Sequence, residues 1–270
     1  MNVDVAVIPA AGRGTRMRPA TRVVPKALLT VVDRPAIQYA VEEAARAGAT
    51  EAVIVVDLEV GHLIQQHFLV EDRLPGLEHV RIRPVVQEEP LGLGHAVYET
   101  REMVRDRPFF CLLADNIVPP GHDVLGDLAA AADGDASVMC LRRLDDEYLS
   151  RYGVVVPAGP EEDGVLELAG AVEKPGVEKA PSRLGLIGRY LFQPEVFDIL
   201  GKTEPGVGGE IQLTDAIDEL ARMGRVRGYV ADRDLLDVGT PLGLLEASVE
   251  LGLARYGEEF RGILEEVLSR

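Results

Sequence analysis

Five apolar runs separated by helix-like segments constrain this chain more than any other feature. They are DVAVIP (4–9), EAVIVV (51–56), VRIRPVV (80–86), FFCLLAD (109–115) and ASVMCL (136–141). Near-continuous apolar runs of this length fit strands covered by helices on both faces. Between them lie helical periodicities. In AIQYAVEEAARAG, Ile37, Val41, Ala44 and Ala45 share one face, Pro35 sits at the first turn and Gly48 ends the segment. Further helices are expected near 60–68, 95–104 and 123–132. The alternation predicts an α/β fold with a mainly parallel central sheet flanked by helices. After Tyr152 the rhythm changes. YGVVVP, GVLELAGAVEKP and LGLIGRYLF are strand-like with no helical pattern between them, which predicts a small antiparallel annex returning toward the main sheet. Helical patterns resume near 194–200 and 211–223, and residues 241–270 read as two amphipathic helices with Leu242, Leu245, Val249 and Leu253 on one stripe.

A chain of 270 residues suits one large domain, or one domain with a small annex. Its net charge of −17 argues against broad binding to nucleic acid or to an anionic membrane, both of which need a basic face. No run approaches the roughly 20 apolar residues of a membrane helix, and MNVDVAVIPA lacks the basic start of a signal peptide. Cys111 and Cys140 sit in apolar strand-like runs and read as buried thiols. The expectation is a cytoplasmic protein. Arginine outnumbers lysine 24 to 4, so each of Lys26, Lys174, Lys179 and Lys202 invites a question about its role.

The first strand runs into an unusual loop, VIPAAGRGTRMRPATRVVPKALL (7–29). The dinucleotide fingerprint G-x-G-x-x-G fails here, because Gly12 and Gly14 are followed by Met17, and Pro19 and Pro25 interrupt any immediate helix. The P-loop pattern is absent. What remains is a long loop in which Ala10, Ala11, Gly12 and Gly14 allow close backbone approach, and successive amides can form an anion-binding concavity. Arg16 and Lys26 can reach the same ligand oxygens from opposite ends.

These residues resemble the signature loop of the sugar-1-phosphate nucleotidylyltransferases. The proline ahead of two alanines makes it most similar to the bacterial branch that uses UTP and glucose 1-phosphate. VDRPAIQYAVEEA, GLGHAV, YGVV, VEKP, IGRYLF and GGEIQLTDAI follow in the order that family shows, over nearly the whole chain. The resemblance implies a Rossmann-like sheet, a required divalent metal (Mg²⁺), and attack of a sugar phosphate on a nucleoside triphosphate with release of pyrophosphate. For this branch the product would be UDP-glucose. It further implies a single domain over 1–270, with a nucleotide-binding part (1–145), a sugar-phosphate-binding part (146–240) and C-terminal helices (241–270), assembled as a homodimer or homotetramer.

Displacement at the α-phosphorus needs four kinds of group, since positioning and charge neutralisation outweigh general-base work. Backbone amides at Gly12, Gly14 and Thr15, with Arg16, suit the departing phosphates. Lys26 resembles the family lysine that neutralises phosphate from the far end of the loop, while Arg13, Arg18 and Arg22 are expected on the rim or paired with surface acids. Asp115 and Asp237 each end an apolar run, where a carboxylate suits a hard cation, and they match the family's metal pair. Gln87 and Gly92, in QEEPLGLGHA, resemble the segment facing the base; His95 beside them reads as a helix-start or packing residue. Glu173 and Lys174, with Gly153 to let the sugar lie against backbone, are the candidates for sugar phosphate. Gly188, Arg189 and Glu210 resemble further positions near the sugar.

Some features depart from that branch. Ala27 follows Lys26 where an acid is usual, Asp115-Asn116 and DVGTP lean toward thymidylyltransferases, and the connection between His67 and Val80 is short. The sequence therefore leaves open a dTTP- or purine-nucleotide-using enzyme, and also a non-catalytic nucleotide-sugar-binding regulator.

Overall fold

A computed structural model describes residues 3–59, 61–69 and 74–270. Among the described residues nine strands form one mixed sheet: β1 (Val5–Pro9), β2 (Glu51–Val56), β3 (Arg81–Val86), β4 (Phe109–Leu112), β5 (Ser137–Arg143), β6 (Gly153–Pro157), β7 (Val165–Glu173), β8 (Leu184–Phe192) and β9 (Val226–Val230). Their order is β3-β2-β1-β4-β8-β5-β9-β7-β6. The first four are parallel, β8 runs antiparallel to both neighbours, β5 and β9 are parallel to each other, and β7 opposes β9 and β6.

Side chains alternate along each strand, so the sheet carries two cores. On one face Ala6 and Ile8 of β1 meet α1 (Ala36–Arg46), α2 (Gly61–Leu69) and, further along, α5 (Val124–Ala131). On the other, Val5 and Val7 meet residues of α3 (Leu93–Tyr98), α4 (Arg101–Val104), α7 (Val196–Leu200) and α8 (Leu213–Arg222). A short helix, α6 (Gly176–Lys179), joins β7 to β8. The connection from β1 to β2 thus covers one face and that from β3 to β4 the other. Such a reversal opens a crevice at the carboxyl ends of β1 and β4.

The sequence places three strands in the annex; the structure keeps two of them, β6 and β7, at the far edge. The third, LGLIGRYLF, runs into the middle of the sheet as β8. Every residue of β8 is buried, a condition only an interior strand with both faces covered can satisfy. Strand β3, with Pro84, is an edge strand and is only half-buried, as a proline strand should be. The helix expected over 95–104 is split into α3 and α4 with Thr100 between them. The start of the helix expected at 60, and residues 70–73 of the connection after His67, lie outside the described residues.

Two C-terminal helices, α9 (Pro241–Tyr256) and α10 (Glu258–Leu268), complete the chain. Thr240 caps α9 by accepting from the Gly243 amide, and Pro241 occupies the first turn. Ala247 and Leu251 of α9 pack on Val31, Ile117, Leu236 and Val238. Leu242 and Leu245 of the predicted stripe stay exposed, as do Ile263 and Leu268 of α10. Among the described residues no helix is long and apolar enough to cross a membrane.

Candidate active site

The loop after β1 folds back on itself through three 3₁₀ turns. Gly14 is left-handed (φ 56°), and a Cβ there would meet Lys26 Cβ at 3.0 Å and Thr21 Cγ2 at 3.1 Å. Thr21 Oγ1 donates to the Gly14 carbonyl at 2.6 Å, and Met17 is buried beneath. Gly14 is therefore the pinch that brings Lys26 alongside the strand end. A recess of about 500 Å³ opens here, lined by Ala10, Ala11, Gly12, Gly14, Thr15, Lys26, Gln87, Gly92 and Asp115 among others. At Gly12 nothing lies within 4 Å of the missing Cβ, so this glycine faces open space. Arg13, Arg18 and Arg22 line an adjoining recess of similar size. Arg13, Arg18, Arg22 and Lys26 gather around these two recesses, although the chain as a whole is acidic. A loop so rich in cations is poised for a polyanion.

Two of the candidate site glycines let one stretch of the chain approach another. At Gly92 (φ 117°) a Cβ would meet the Ile211 carbonyl at 2.7 Å, and Ile211 exchanges backbone hydrogen bonds with Leu91 and Gly94. This close approach docks GGEIQL onto GLGHA and puts Glu210 on the recess wall. Gly153 is buried, and the space a Cβ would take is filled by Thr214 Oγ1 at 2.7 Å. The glycine thus admits α8 at this point.

The two carboxylates come together from opposite ends of the sequence. A two-stranded ribbon pairs Asn116–Ile117 with Leu236–Asp237, setting Asp237 opposite Asn116, and the Val238 amide donates to the Asp115 carbonyl at 2.8 Å. A Cβ built on Gly239 would lie 2.8 Å from Asp237 Oδ1, 2.9 Å from Asp115 Oδ2 and 3.2 Å from Arg16 Nη2. Residues 16, 115 and 237 thus converge on one point. Two hard carboxylates so close suit a divalent cation that also binds substrate phosphates, and no cluster of three or more metal-ligating side chains forms among the described residues. Lys26 Nζ forms an ion pair with Asp115 Oδ2. Burial alone would raise the Asp115 carboxyl, but the Lys26 charge and hydrogen bond, with Arg16 beyond, outweigh it and hold the group below its ordinary value. It stays ionised at neutral pH, ready as a ligand.

Glu173, opposite Gly153 in the ladder, accepts from Thr214 Oγ1 at 2.6 Å and pairs with Lys174 Nζ at 2.7 Å. Lys174 has φ 47°, a strained value for a side-chain-bearing residue, and its amide donates to the Tyr152 carbonyl. This cluster does not line the recess itself. The Tyr152 phenol is pushed up, first by burial and then by the charge of Asp237.

Gln87, at the end of β3, is buried, and its Nε2 donates to the Gly92 carbonyl at 3.1 Å and contacts His95 Nδ1 at 3.0 Å. His95 Nε2 lies 3.1 Å from Glu99 Oε1, which assigns its proton to Nε2 and leaves Nδ1 as acceptor. His95 is thus more than a helix-start residue: it orients the Gln87 amide. Arg189 is also misplaced by the sequence reading. It is fully buried behind Asp115 and not on a sugar-facing surface. The two cysteines are free and buried, their thiols pushed up by burial to about 12.

The family model described as Nucleotidyl transferase matches residues 5–252. The UTP–glucose-1-phosphate uridylyltransferase 2 of Staphylococcus saprophyticus is 39% identical over 93% of this chain and 92% of its own. That of Bacillus subtilis is 38% identical over 93% and 91%. Among solved structures, a UDP-glucose pyrophosphorylase complexed with UDP-glucose superposes with a TM-score of 0.85 at 33% identity, covering 95% of this chain and 99% of that one. A UTP-bound enzyme from Acinetobacter baumannii gives 0.84 at 33%, covering 98% and 99%. The chain belongs to the nucleotidyl transferase family and is a nucleotidyltransferase. Divalent metal use is general in this family, and the Asp115–Asp237 donor set fits it.

Proposed function

We propose that the protein transfers the uridylyl group of UTP to α-D-glucose 1-phosphate, giving UDP-glucose and pyrophosphate, with Mg²⁺ as the metal. The convergence of Arg16, Asp115 and Asp237 on one point beside the phosphate loop carries the reading, and the names of the relatives supply the substrates. Bound by the two aspartates and by phosphate oxygens, Mg²⁺ would supply positive charge at the reacting phosphates. The remaining work falls to the chain's own groups. Amides of the loop and Arg16 bind the departing phosphates, where negative charge grows as the bond breaks. Lys26 faces the α-phosphate while keeping Asp115 ionised. Lys174 holds the attacking phosphate, and Glu173 keeps lone pairs free to accept from sugar hydroxyls.

Base choice follows from Gln87. With Nε2 committed to Gly92 and His95, only its Oε1 is left for the ligand, and that acceptor matches the N3–H of uracil while opposing the bare N3 of cytosine. His95→Ala frees the amide to rotate and should cut the preference for UTP over CTP about tenfold, roughly one hydrogen bond's worth, read as a ratio of kcat/KM values. Asn116 Nδ2 lies 3.4 Å from Asp115 Oδ1, a contact to a metal-ligand carboxylate in this reading.

Pyrophosphate release measured with UTP, dTTP, CTP, ATP and GTP, each with glucose 1-phosphate, tests the proposal. The expected result is a UTP preference above tenfold. No product with any triphosphate, or tight UDP-glucose binding without turnover, would reject it in favour of a regulator. Lys174→Ala should lower kcat/KM for glucose 1-phosphate at least tenfold, since a charge-assisted contact is worth about 1.5–3 kcal/mol, with UTP affinity unchanged; an unaltered value removes Lys174 from the site. Cytoplasmic location and a homodimer or homotetramer belong to the same proposal. Exposed Leu242, Leu245, Ile263 and Leu268 offer apolar surface for assembly, and sedimentation velocity reads it.

A further inference from the structure

Behind the carboxylate pair lies an ion pair that the reaction does not use. Arg189 has no exposed surface, and its partner Glu43, on the buried face of α1, is nearly as enclosed. The guanidinium spends all five N–H donors. Nε donates to Glu43 Oε1 at 2.9 Å, and Nη2 to Glu43 Oε2 at 2.8 Å. Nη1 donates to the Leu113 carbonyl at 3.1 Å and the Gly188 carbonyl at 2.9 Å, and Nη2 also to the Asn116 carbonyl at 2.6 Å. Leu113 and Asn116 bracket Asp115. Asn116 is in turn the ladder partner of Asp237. One side chain therefore holds both ends of the turn that carries the first metal carboxylate, and through the ribbon it bears on the second.

Stability alone does not account for such a pair. Desolvating two charges offsets most of their attraction, and apolar substitutes of similar volume are often neutral or stabilising. Groups that orient metal ligands, by contrast, typically change metal affinity 10- to 100-fold when lost. We propose that Glu43 and Arg189 act as a positioning pair that sets the spacing of Asp115 and Asp237 for a divalent cation; this rests on the reading of those two aspartates as metal ligands. Glu43 presents Arg189 in one orientation, and Arg189 fixes the turn. Arg189 touches neither substrate nor metal.

Mn²⁺ titration in the presence of UTP, with the free ion counted by electron paramagnetic resonance, tests this without reference to turnover. Three variants are compared with the native chain by this titration and by thermal midpoint. Glu43→Gln keeps the shape but sets an amide N–H₂ against the guanidinium. The double change Glu43→Leu with Arg189→Met removes both charges together. Asp115→Asn reports on the ligand assignment itself. The proposal expects at least a tenfold rise in the Mn²⁺ dissociation constant in the first two, with the folded state retained. Native Mn²⁺ affinity in both, or a lowered midpoint with unchanged affinity, makes the pair merely structural and overturns the proposal. If the double variant does not fold, Glu43→Gln decides by the same criterion. Loss of binding in Asp115→Asn but not in the pair variants defeats this inference alone. Native binding in Asp115→Asn defeats the metal assignment beneath it.

Discussion

Asp115→Asn should lower kcat about 10³-fold while leaving the chain folded. Asparagine matches aspartate in size, so Val238 and the ribbon keep their partner at the Asp115 carbonyl. What is lost is charge, and it is lost twice. The point shared by residues 16, 115 and 237 loses one of its two anionic ligands, and Lys26 loses its counter-ion. Removal of one preorganised electrostatic contact at a reacting centre typically costs 10² to 10³ in kcat, and here two linked contacts fail together. The measurement is kcat at saturating UTP, glucose 1-phosphate and Mg²⁺, beside a thermal melt. Turnover within tenfold of native in a folded variant would show that the metal lies elsewhere.

Gly239→Ala should cost about a hundredfold in kcat. Gly239 is not among the residues with positive φ, so alanine brings no backbone strain there. Its methyl group would instead land 2.8 Å from Asp237 Oδ1, 2.9 Å from Asp115 Oδ2 and 3.2 Å from Arg16 Nη2. All three must retreat by a fraction of an ångström or more. Misplacing reacting groups by about 1 Å is enough for a 10²-fold loss. Because the crowding falls on the metal ligands, the Mg²⁺ concentration giving half-maximal rate should rise in the same variant. Native kcat with a native Mg²⁺ requirement would mean that the carboxylates have room to spare, and that their present spacing is not what the reaction uses.

Much of the architecture could be read from periodicity, because parallel strands buried on both faces announce themselves as apolar runs. The place of β8 could not. Its neighbours are set by long-range pairings, as between Leu184 and Arg143 and between Arg189 and Leu112, and local pattern carries no record of that. The site divides in a similar way. Strand-end carboxylates and the loop cations were visible from their positions, since the carboxyl edge of such a sheet is where ligands bind. Gly14, Gly92 and Gly153 have a role that local pattern does not show: each lets one stretch of this chain approach another. The Gln87–His95 contact and the Arg189–Glu43 pair join residues 8 and 146 positions apart, and nothing in the spacing names the partner. A signal did exist for the second. Glu43 falls on the same helical stripe as Ala36, Ala40 and Ala44, and Arg189 interrupts an otherwise apolar strand; two opposite charges in buried positions call for each other.

Because Asp115 is followed by Asn116, and Asn116 is the ladder partner of Asp237, the gap between the two acids is quantised. A slip of one rung would shift one acid by about 3.3 Å and turn its side chain to the opposite surface. No intermediate setting exists. Fine adjustment of that gap, whether by evolution or by design, is therefore confined to side-chain length, aspartate against glutamate, and to whatever leans on the ribbon from behind.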